Sequence, residues 1–266
     1  MMFEPMDSPT SDSGPCAGNA LVRKLSSLAL LSQADLAALA LASVHSRWEP
    51  AHKDLVYEDC APSGALVLLE GFACRYRRMA DGGRQILSFL LPGDLCDFDR
   101  TLPGGSDHAI GALSACNVAW ISSANYSELL TSHLAVAAAL ETAKLMEEAI
   151  MRDWLVSLGR RRAPERLARL LCELLDRLQA VGLASANSCD LPLTQIDFGD
   201  ALGLSPVHIS RSLQGLRLAG LLEIVARRLH VVDLPRLHAL CEFSSVRARL
   251  GNASALEIPA VAFGAA

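Results

Sequence analysis

Aromatic residues are scarce in this chain, and long uncharged apolar runs are missing from it. Phe, Trp and Tyr make up 5% of the 266 residues, whereas alanine and leucine abound and favour helix. No stretch of about 18 apolar residues lacks a charge, so the sequence predicts no membrane-spanning helix. The N-terminus lacks the basic start and apolar stretch of a signal peptide. We therefore expect a cytoplasmic protein with a disordered leader over residues 1–19.

Closely spaced metal ligands are also absent. The chain has eight cysteines, but none of them form a CxxC or CxxxC pair, and in a reducing compartment most should be small buried residues. Between residues 48 and 122 the only histidines are His52 and His108, and they do not form an HxH motif. A metal enzyme built on strands needs clustered histidines and a carboxylate to bind the metal. The wide separation of the two histidines therefore argues against a metal enzyme.

Charge is distributed unevenly along the chain. Residues 160–250 contain 13 arginines, no lysine and nine acidic residues, whereas residues 1–159 contain 11 basic and 19 acidic residues. A basic carboxy-terminal part favours a contact with nucleic acid. Two differently solvated surfaces would give the same contrast in charge, so charge alone does not establish nucleic-acid binding.

The pattern of apolar residues changes twice along the chain. Residues 20–44 read as one or two helices, with Ser32 as an N-cap and Asp35 three residues later. From about 48 to 122, short apolar runs alternate with turn signals, and ADGG between two such runs predicts a hairpin. Several short strands at this spacing predict a small β-barrel or jelly roll.

A long helical segment follows, from about Tyr126 to about Gly159. Its length favours packing against a second copy of the chain, although packing on its own barrel would also cover an apolar stripe. We predict a dimerisation helix and hinge over residues 129–160. The dimer-facing residues are predicted within the stripe Ala139, Ala143, Met146, Ile150 and Trp154, with Met146, Ile150 and Trp154 as the main contacts.

Two short helices joined by a glycine turn are predicted near the carboxy terminus. Thr194 caps the first and Gly203 ends it, while Ser205 caps the second and Pro206 takes its first position. This order is a helix-turn-helix. The following LLEIVARRLHVVDL predicts two strands around a basic turn, which form a wing.

These segments carry a family resemblance. One segment is similar, nearly position by position, to the DNA-binding signature of the Crp/Fnr transcription regulators. This segment is LTQIDFGDALGLSPVHISRSLQGLRLAGLLEI. An earlier segment resembles the cyclic-nucleotide-binding-type roll of the same family. Its sequence is LLEGFACRYRRMADGGRQILSFLLPGDL. The resemblance implies an α+β chain with a sensory β-roll (20–128), the dimerisation helix (129–160) and a winged helix-turn-helix (161–250). The tail 251–266 receives no role.

Within that family, the second helix of the helix-turn-helix enters the major groove with its first residues at base edges. The resemblance therefore implies a base-reading set of Val207, His208, Ser210 and Arg211. Phosphate contacts are expected from Gln195, Ser205, Arg217, Arg227 and Arg228. Many members have a glutamate where this chain has Val207, so we expect its half-site to differ from theirs.

The resemblance is weaker at the effector site. Members that bind cyclic AMP carry a Gly-Glu-Leu cassette, followed by an arginine that neutralises the cyclic phosphate. Here Asp94 replaces the glutamate, and the arginine position falls at Asp107 and His108, where a carboxylate would repel phosphate. We expect that cyclic AMP is not the effector. The predicted cassette is Gly93, Asp94, Leu95, Cys96, Asp107 and His108.

No cofactor is predicted. Iron–sulfur clusters in this family use several cysteines near the N-terminus, and only Cys16 lies there. Haem held by a histidine or cysteine, and a redox-active thiol, stay open as alternatives. We predict a homodimeric regulator that binds an inverted repeat in double-stranded DNA and contacts RNA polymerase. A cupin-like metal enzyme and a ligand-binding regulatory subunit are the alternatives.

Overall fold

The computed structural model describes residues 19–60, 62–97 and 105–253. Apart from Asn19, the predicted leader lies outside these residues, and so does the tail from residue 254 onwards. Within the described ranges, no helix combines the length and the apolar character that a membrane crossing requires.

Two short helices open the described chain, as predicted. They are α1 (Ala20–Ser26) and α2 (Gln33–Ala42). Ser32 caps α2 by accepting from the amide of Asp35, and the Asp35 carboxylate accepts from the amide of Ser32 in return. The predicted capping box is confirmed, because both of these amides would otherwise have no partner within the helix.

A β-roll follows, built from two antiparallel four-stranded sheets in the described residues. Their strand orders are β1–β8–β3–β6 and β2–β7–β4–β5. The predicted ADGG turn joins β4 to β5, and apolar side chains such as Leu66, Ile110 and Val118 fill the interior. The strands are β1 (Ser46–Glu49), β2 (Asp54–Val56), β3 (Ala65–Glu70), β4 (Ala73–Arg78), β5 (Arg84–Leu90), β6 (Leu95–Asp97), β7 (Ala109–Ala112) and β8 (Cys116–Ile121).

The predicted helix over 129–160 is divided in the structure. Helix α3 (Ser123–Ser132) ends at His133, and α4 (Leu134–Arg160) begins directly after it. The backbone of His133 is outside helical geometry (φ −123°, ψ 75°), and its ring bonds to Asp35 at 2.8 Å. The boundary at 129 was therefore wrong, since the break depends on a contact with α2 that is distant in sequence.

The carboxy-terminal domain contains the predicted helix-turn-helix and wing. Helix α5 contributes more residues to its core than any other single element, with Leu167, Leu171 and Leu174 fully buried. Its elements are α5 (Ala163–Ala180), β9 (Ser188–Asp190), α6 (Gln195–Leu202), α7 (Pro206–Leu218), β10 (Leu222–Val225), β11 (Arg228–Val231), α8 (Leu234–Cys241) and α9 (Val246–Ala253).

The roll and the carboxy-terminal domain share one apolar core. Phe89 of the roll meets Trp154 of α4 edge-to-face, with ring centroids 6.0 Å apart. The same buried cluster continues into Leu171 of α5 and Ile209 of α7. We call this cluster the shared core. It means that the position of the helix-turn-helix depends on side chains of the roll.

Candidate DNA-binding interface

Helix α6 is the first helix of the helix-turn-helix, and local capping sets its bounds. Thr194 accepts from the amide of Asp197, and the Asp197 carboxylate accepts from the amide of Thr194. Gly203 ends the helix in the left-handed region at φ 63°. A Cβ on Gly199 would lie 2.5 Å from the carbonyl oxygen of Leu204, so the turn between the two helices needs glycine there.

Helix α7 begins as the sequence predicts. The Ser205 hydroxyl accepts from the amide of His208 at 3.4 Å, and Pro206 occupies the first helical position, where no amide donor is needed. Ile209 and Leu216 are buried in the shared core, and Ser212 is buried beside them. This fixes which side of α7 faces the protein.

The opposite side of α7 is exposed to solvent and carries the predicted base-reading set, Val207, His208, Ser210 and Arg211. None of these four is buried, so the helix presents them together at its amino-terminal half. Gln214 is also exposed, one turn after Arg211. Gln214 was not among the predicted base-reading residues, although the helical repeat of three to four residues places it on the same face as Arg211.

The wing is a tight hairpin. Ala226 and Arg227 form its two-residue turn, with φ of 49° and 60°. Positive φ at both positions suits the twist of a two-residue hairpin, although these residues lack the freedom of glycine. Arg228 forms an ion pair with Asp190 at 2.9 Å, so its charge is partly neutralised within the chain.

All five predicted phosphate contacts lie on the surface of the domain. Gln195 begins α6, and Arg217 lies near the end of α7, while Arg227 and Arg228 belong to the wing. Ser205 is exposed, but its hydroxyl already serves as the cap of α7. All five residues are therefore open to solvent, and their contact with phosphates stays a prediction.

Comparison with known proteins assigns this domain. The family model described as a Crp-like helix-turn-helix domain matches residues 165–240. The nitrogen fixation regulation protein FixK of Bradyrhizobium diazoefficiens is 31% identical over 173 residues, which are 65% of this chain and 72% of FixK. The chain belongs to the Crp/Fnr family. It is a transcription regulator with a DNA-binding helix-turn-helix.

Further relatives of this Crp/Fnr protein agree with the assignment. The transcriptional activatory protein AadR of Rhodopseudomonas palustris is 29% identical over 85% of this chain and 92% of AadR. The structure of FixK2 from Bradyrhizobium japonicum superposes with a TM-score of 0.65 at 28% identity, covering 75% of this chain and 98% of that one. The predicted fold class, with roll and winged helix-turn-helix, is confirmed.

The predicted effector cassette begins at a buried turn of this Crp/Fnr protein. Gly93 adopts φ 94°, and Asp94 is buried with both carboxylate oxygens engaged. Lys24 of α1 lies 2.5 Å from one oxygen, and Arg177 of α5 lies 2.6 Å from the other. The Leu91 amide donates to the same carboxylate at 2.7 Å.

This environment changes the chemistry of Asp94. Burial alone would raise the pKa of its carboxyl, but the charges of Lys24 and Arg177, together with the Leu91 amide, lower it to about 2. The carboxylate is therefore an ionised tie between α1, the roll and α5. The sequence places Asp94 at the position of a ligand-binding glutamate. It does not predict Lys24 and Arg177 as the partners of Asp94.

Cys96 is buried in the roll beside an arginine that the sequence argument missed. Arg75 of β4 places Nη2 3.3 Å from the Cys96 sulfur and Nη1 3.3 Å from Glu147 of α4. Burial raises the pKa of the Cys96 thiol to about 11, even though Arg75 opposes that shift. Leu95 starts β6 next to Cys96, and residues 98–104 of the same region lie outside the described residues.

Asp107 and His108 form a local pair at the start of β7. The His108 ring lies 2.8 Å from the Asp107 carboxylate, and the bond from His108 lowers the pKa of Asp107. Asp107 is exposed, and it lies near the position at which the family resemblance predicts an arginine in cyclic-nucleotide-binding members. Within the described ranges, no group of three or more His, Cys, Asp or Glu side chains is arranged to hold a metal ion.

A second ionic contact joins the roll directly to α6. Arg84, the first residue of β5, bonds through Nη2 to Asp197 and through Nε to Asp200, each at 2.6 Å. Gln85 donates to the carbonyl oxygen of Ala201 at 3.3 Å. No sequence motif indicates this contact, because its partners are more than 110 residues apart.

The stripe predicted to face a second copy packs within its own chain. Trp154 is 8% exposed, and its indole Nε1 donates to Glu173 of α5 at 2.6 Å. Ile150 packs against the shared core, and Met146 lines a cleft between α1, α4 and α5. The prediction that these three residues form the dimer contact is wrong for Trp154. Helical spacing identifies an apolar face but not the surface that covers it.

Proposed function

We propose that this Crp/Fnr protein acts as a homodimer that reads an inverted repeat in double-stranded DNA. The observation that carries the proposal is the exposed face of α7, where Val207, His208, Ser210 and Arg211 are open to solvent. Arg211 can donate two hydrogen bonds to guanine. Twofold symmetry would place two such helices about 34–36 Å apart, one turn of DNA.

The proposed dimer surface is the outer face of α4, opposite Trp154. Leu145, Leu155 and Val156 are exposed by 52%, 67% and 49%, although they are large apolar side chains. Gly159 follows on the same face, and its Cβ position is open. A helix with one covered and one exposed apolar face is suited to pack against its own chain and a second copy.

The test of sequence reading is selection from a pool of random DNA by the full chain, followed by affinity measurement on the selected site. We expect an inverted repeat. Arg211→Ala should weaken binding by about 1–3 kcal/mol and relax one base position in each half-site. Arg236→Ala is the matched control, because Arg236 is an exposed arginine of α8 outside the reading face. An Arg211→Ala protein that selects an unchanged motif would remove Arg211 from the reading set.

We further propose that the sensory roll does not use cyclic AMP. The Asp94 carboxylate is occupied by two cations, Arg75 is paired with Glu147, and Asp107 adds negative charge. A cyclic phosphate would have to break an existing pair to gain an arginine. Calorimetry with cyclic AMP and cyclic GMP tests this, and micromolar binding of either nucleotide would refute it.

The proposed role is regulatory and not catalytic, without a cofactor, and in the cytoplasm. AadR is a transcriptional activator by name, which supports activation through contact with RNA polymerase. Transcription in vitro from a promoter carrying the selected site tests this directly. More transcript would indicate an activator, and less would indicate a repressor.

A further inference from the structure

Two cysteines of the carboxy-terminal domain face each other across a helix interface. Cys172 lies in the middle of α5, and Cys241 is the last residue of α8. Their sulfur atoms are 4.0 Å apart, and both residues are buried. Both belong to the shared core, which supports a fixed relative position.

The hydrogen bonds around Cys241 orient its sulfur. The Cys241 thiol donates to the carbonyl oxygen of Leu237 at 3.1 Å, which leaves the Cys172 thiol as donor in the contact between the sulfurs. That bond from Cys172 lowers the pKa of the Cys241 thiol, and the nearby Arg169 guanidinium lowers it further. Bonding to Cys241 and burial raise the pKa of Cys172. Cys241 is thus the better nucleophile of the pair.

Disulfide formation requires a movement at this contact. A disulfide has a sulfur–sulfur distance of about 2.05 Å, so the two sulfurs must come about 2 Å closer. Cys241 ends its helix, and Glu242 after it turns into the left-handed region at φ 51°. Cys241 therefore has helical backbone on one side only, although its side chain is buried.

We propose that Cys172 and Cys241 form an oxidation site, at which a hydroperoxide converts the two thiols into a disulfide between α5 and α8. The Cys241 thiolate attacks one peroxide oxygen, the O–O bond breaks, and the leaving hydroxide takes up the proton that the thiol had released, so that a sulfenic acid and one water form. The Cys172 sulfur then attacks the sulfenyl sulfur and a second water leaves. Two thiols are oxidised, and one hydrogen peroxide is reduced to two waters.

The bond would enclose the DNA-reading unit. Residues 173–240 lie between the two cysteines, and they contain α6, α7 and both wing strands. A cross-link over such a loop restricts the unfolded chain and stabilises the domain. The inference does not rest on the proposed DNA specificity, because neither cysteine lies on the exposed face of α7.

The experiment compares the full chain after reduction with the full chain after treatment with hydrogen peroxide. The expected result is a loss of about 2 Da, from two hydrogens, and one tryptic species joining the peptides of Cys172 and Cys241. The melting temperature of the oxidised protein should rise by several degrees. Cys172→Ala should abolish both changes. Cys189→Ala is the control, since Cys189 is buried in the same core and makes no hydrogen bond to a thiol in the described ranges.

The outcomes separate clearly. Peroxide-treated protein in which both thiols survive, or in which they gain oxygen without a cross-link, would overturn the proposal. So would a disulfide from Cys172 to any cysteine other than Cys241. If Cys172→Ala fails to fold, the peptide map of the natural chain still decides, because it identifies the partner of each cysteine directly.

Discussion

Asp94 is the residue at which charge, burial and domain contact meet. Its folded-state pKa of about 2 lies below the ordinary value of 3.8. A carboxyl with a lowered pKa stabilises the fold at pH values above its unfolded pKa, and that contribution is lost as the pH falls towards the folded value. We expect the free energy of unfolding to lose about 2 kcal/mol from this group between about pH 4 and pH 2.

Replacing Asp94 tests this account. Asp94→Asn leaves Lys24 and Arg177 without their shared anion, so it should destabilise the protein by about 3–5 kcal/mol at neutral pH. The variant should also lose the part of the acid dependence between pH 4 and pH 2. Urea unfolding at a series of pH values measures both effects. Asp107→Asn, at an exposed carboxyl, is the control, and equal acid profiles for Asp94→Asn and the natural chain would contradict the assignment.

Gly215 offers a second test at the scale of one residue. It lies inside α7, and no atom stands within 4 Å of the position its Cβ would take. Alanine fits there without a clash, and it loses less backbone entropy on folding than glycine does. Gly215→Ala should therefore raise the free energy of unfolding by about 1 kcal/mol, measured by thermal or urea unfolding. The same change at Gly199 should destabilise, because its Cβ would meet the Leu204 carbonyl.

At the scale of elements, Arg84 ties the β4–β5 hairpin to α6. Arg84→Ala would leave Asp197 buried with its cap bonds intact but without its cation, and Asp200 without a partner. We expect hydrogen exchange of the β5 and α6 amides to become faster, while the buried amides of α5 stay protected. Arg78→Ala is the control, since Arg78 pairs with Asp54 inside the roll. Unchanged exchange in α6 would show that the Arg84 ion pairs are not needed to hold α6 against the roll.

The elements that the sequence predicts well are those whose bounds are set locally. Thr194, Gly203, Ser205 and Pro206 each act on backbone groups within a few residues, so α6 and α7 follow from the letters alone. The hairpin at ADGG follows for the same reason. The helical spacing of Ile209 and Leu216 likewise predicts which face of α7 is buried, whereas the base-reading set comes from the family resemblance and stays a prediction.

What the sequence does not predict depends on contacts between distant segments. The break at His133 needs Asp35, and the burial of Trp154 needs Glu173 and Phe89. Asp94 looked like a ligand group because its neighbours in sequence match a cassette. Its partners come from α1 and α5, and no spacing rule connects those segments.

For the whole molecule, the proposed dimer interface on the outer face of α4 can be tested by one substitution. Leu155→Glu places like charges near the proposed twofold axis and should convert the protein to a monomer. Affinity for the inverted repeat should fall more than tenfold, because each half-site would be bound alone. Sedimentation equilibrium and DNA titration measure the two effects.

A matched variant controls for the added charge. Leu183→Glu introduces the same side chain at an exposed leucine in the loop after α5, away from α4. It should leave both assembly and DNA affinity as they are in the natural chain. A dimeric Leu155→Glu protein would place the interface on another surface.

The shared core has a consequence for how such regulators diverge. Phe89 and Trp154 contact the same apolar cluster as Leu171 and Ile209, so sensor and reader are not interchangeable cassettes. A chimera that joins α4 and this reader to another protein's roll would leave the Trp154 indole without Phe89 and would inherit mismatched packing. Diversification by swapping domains would thus require changes on both sides of the join, whereas substitutions on the exposed face of α7 leave the shared core unchanged.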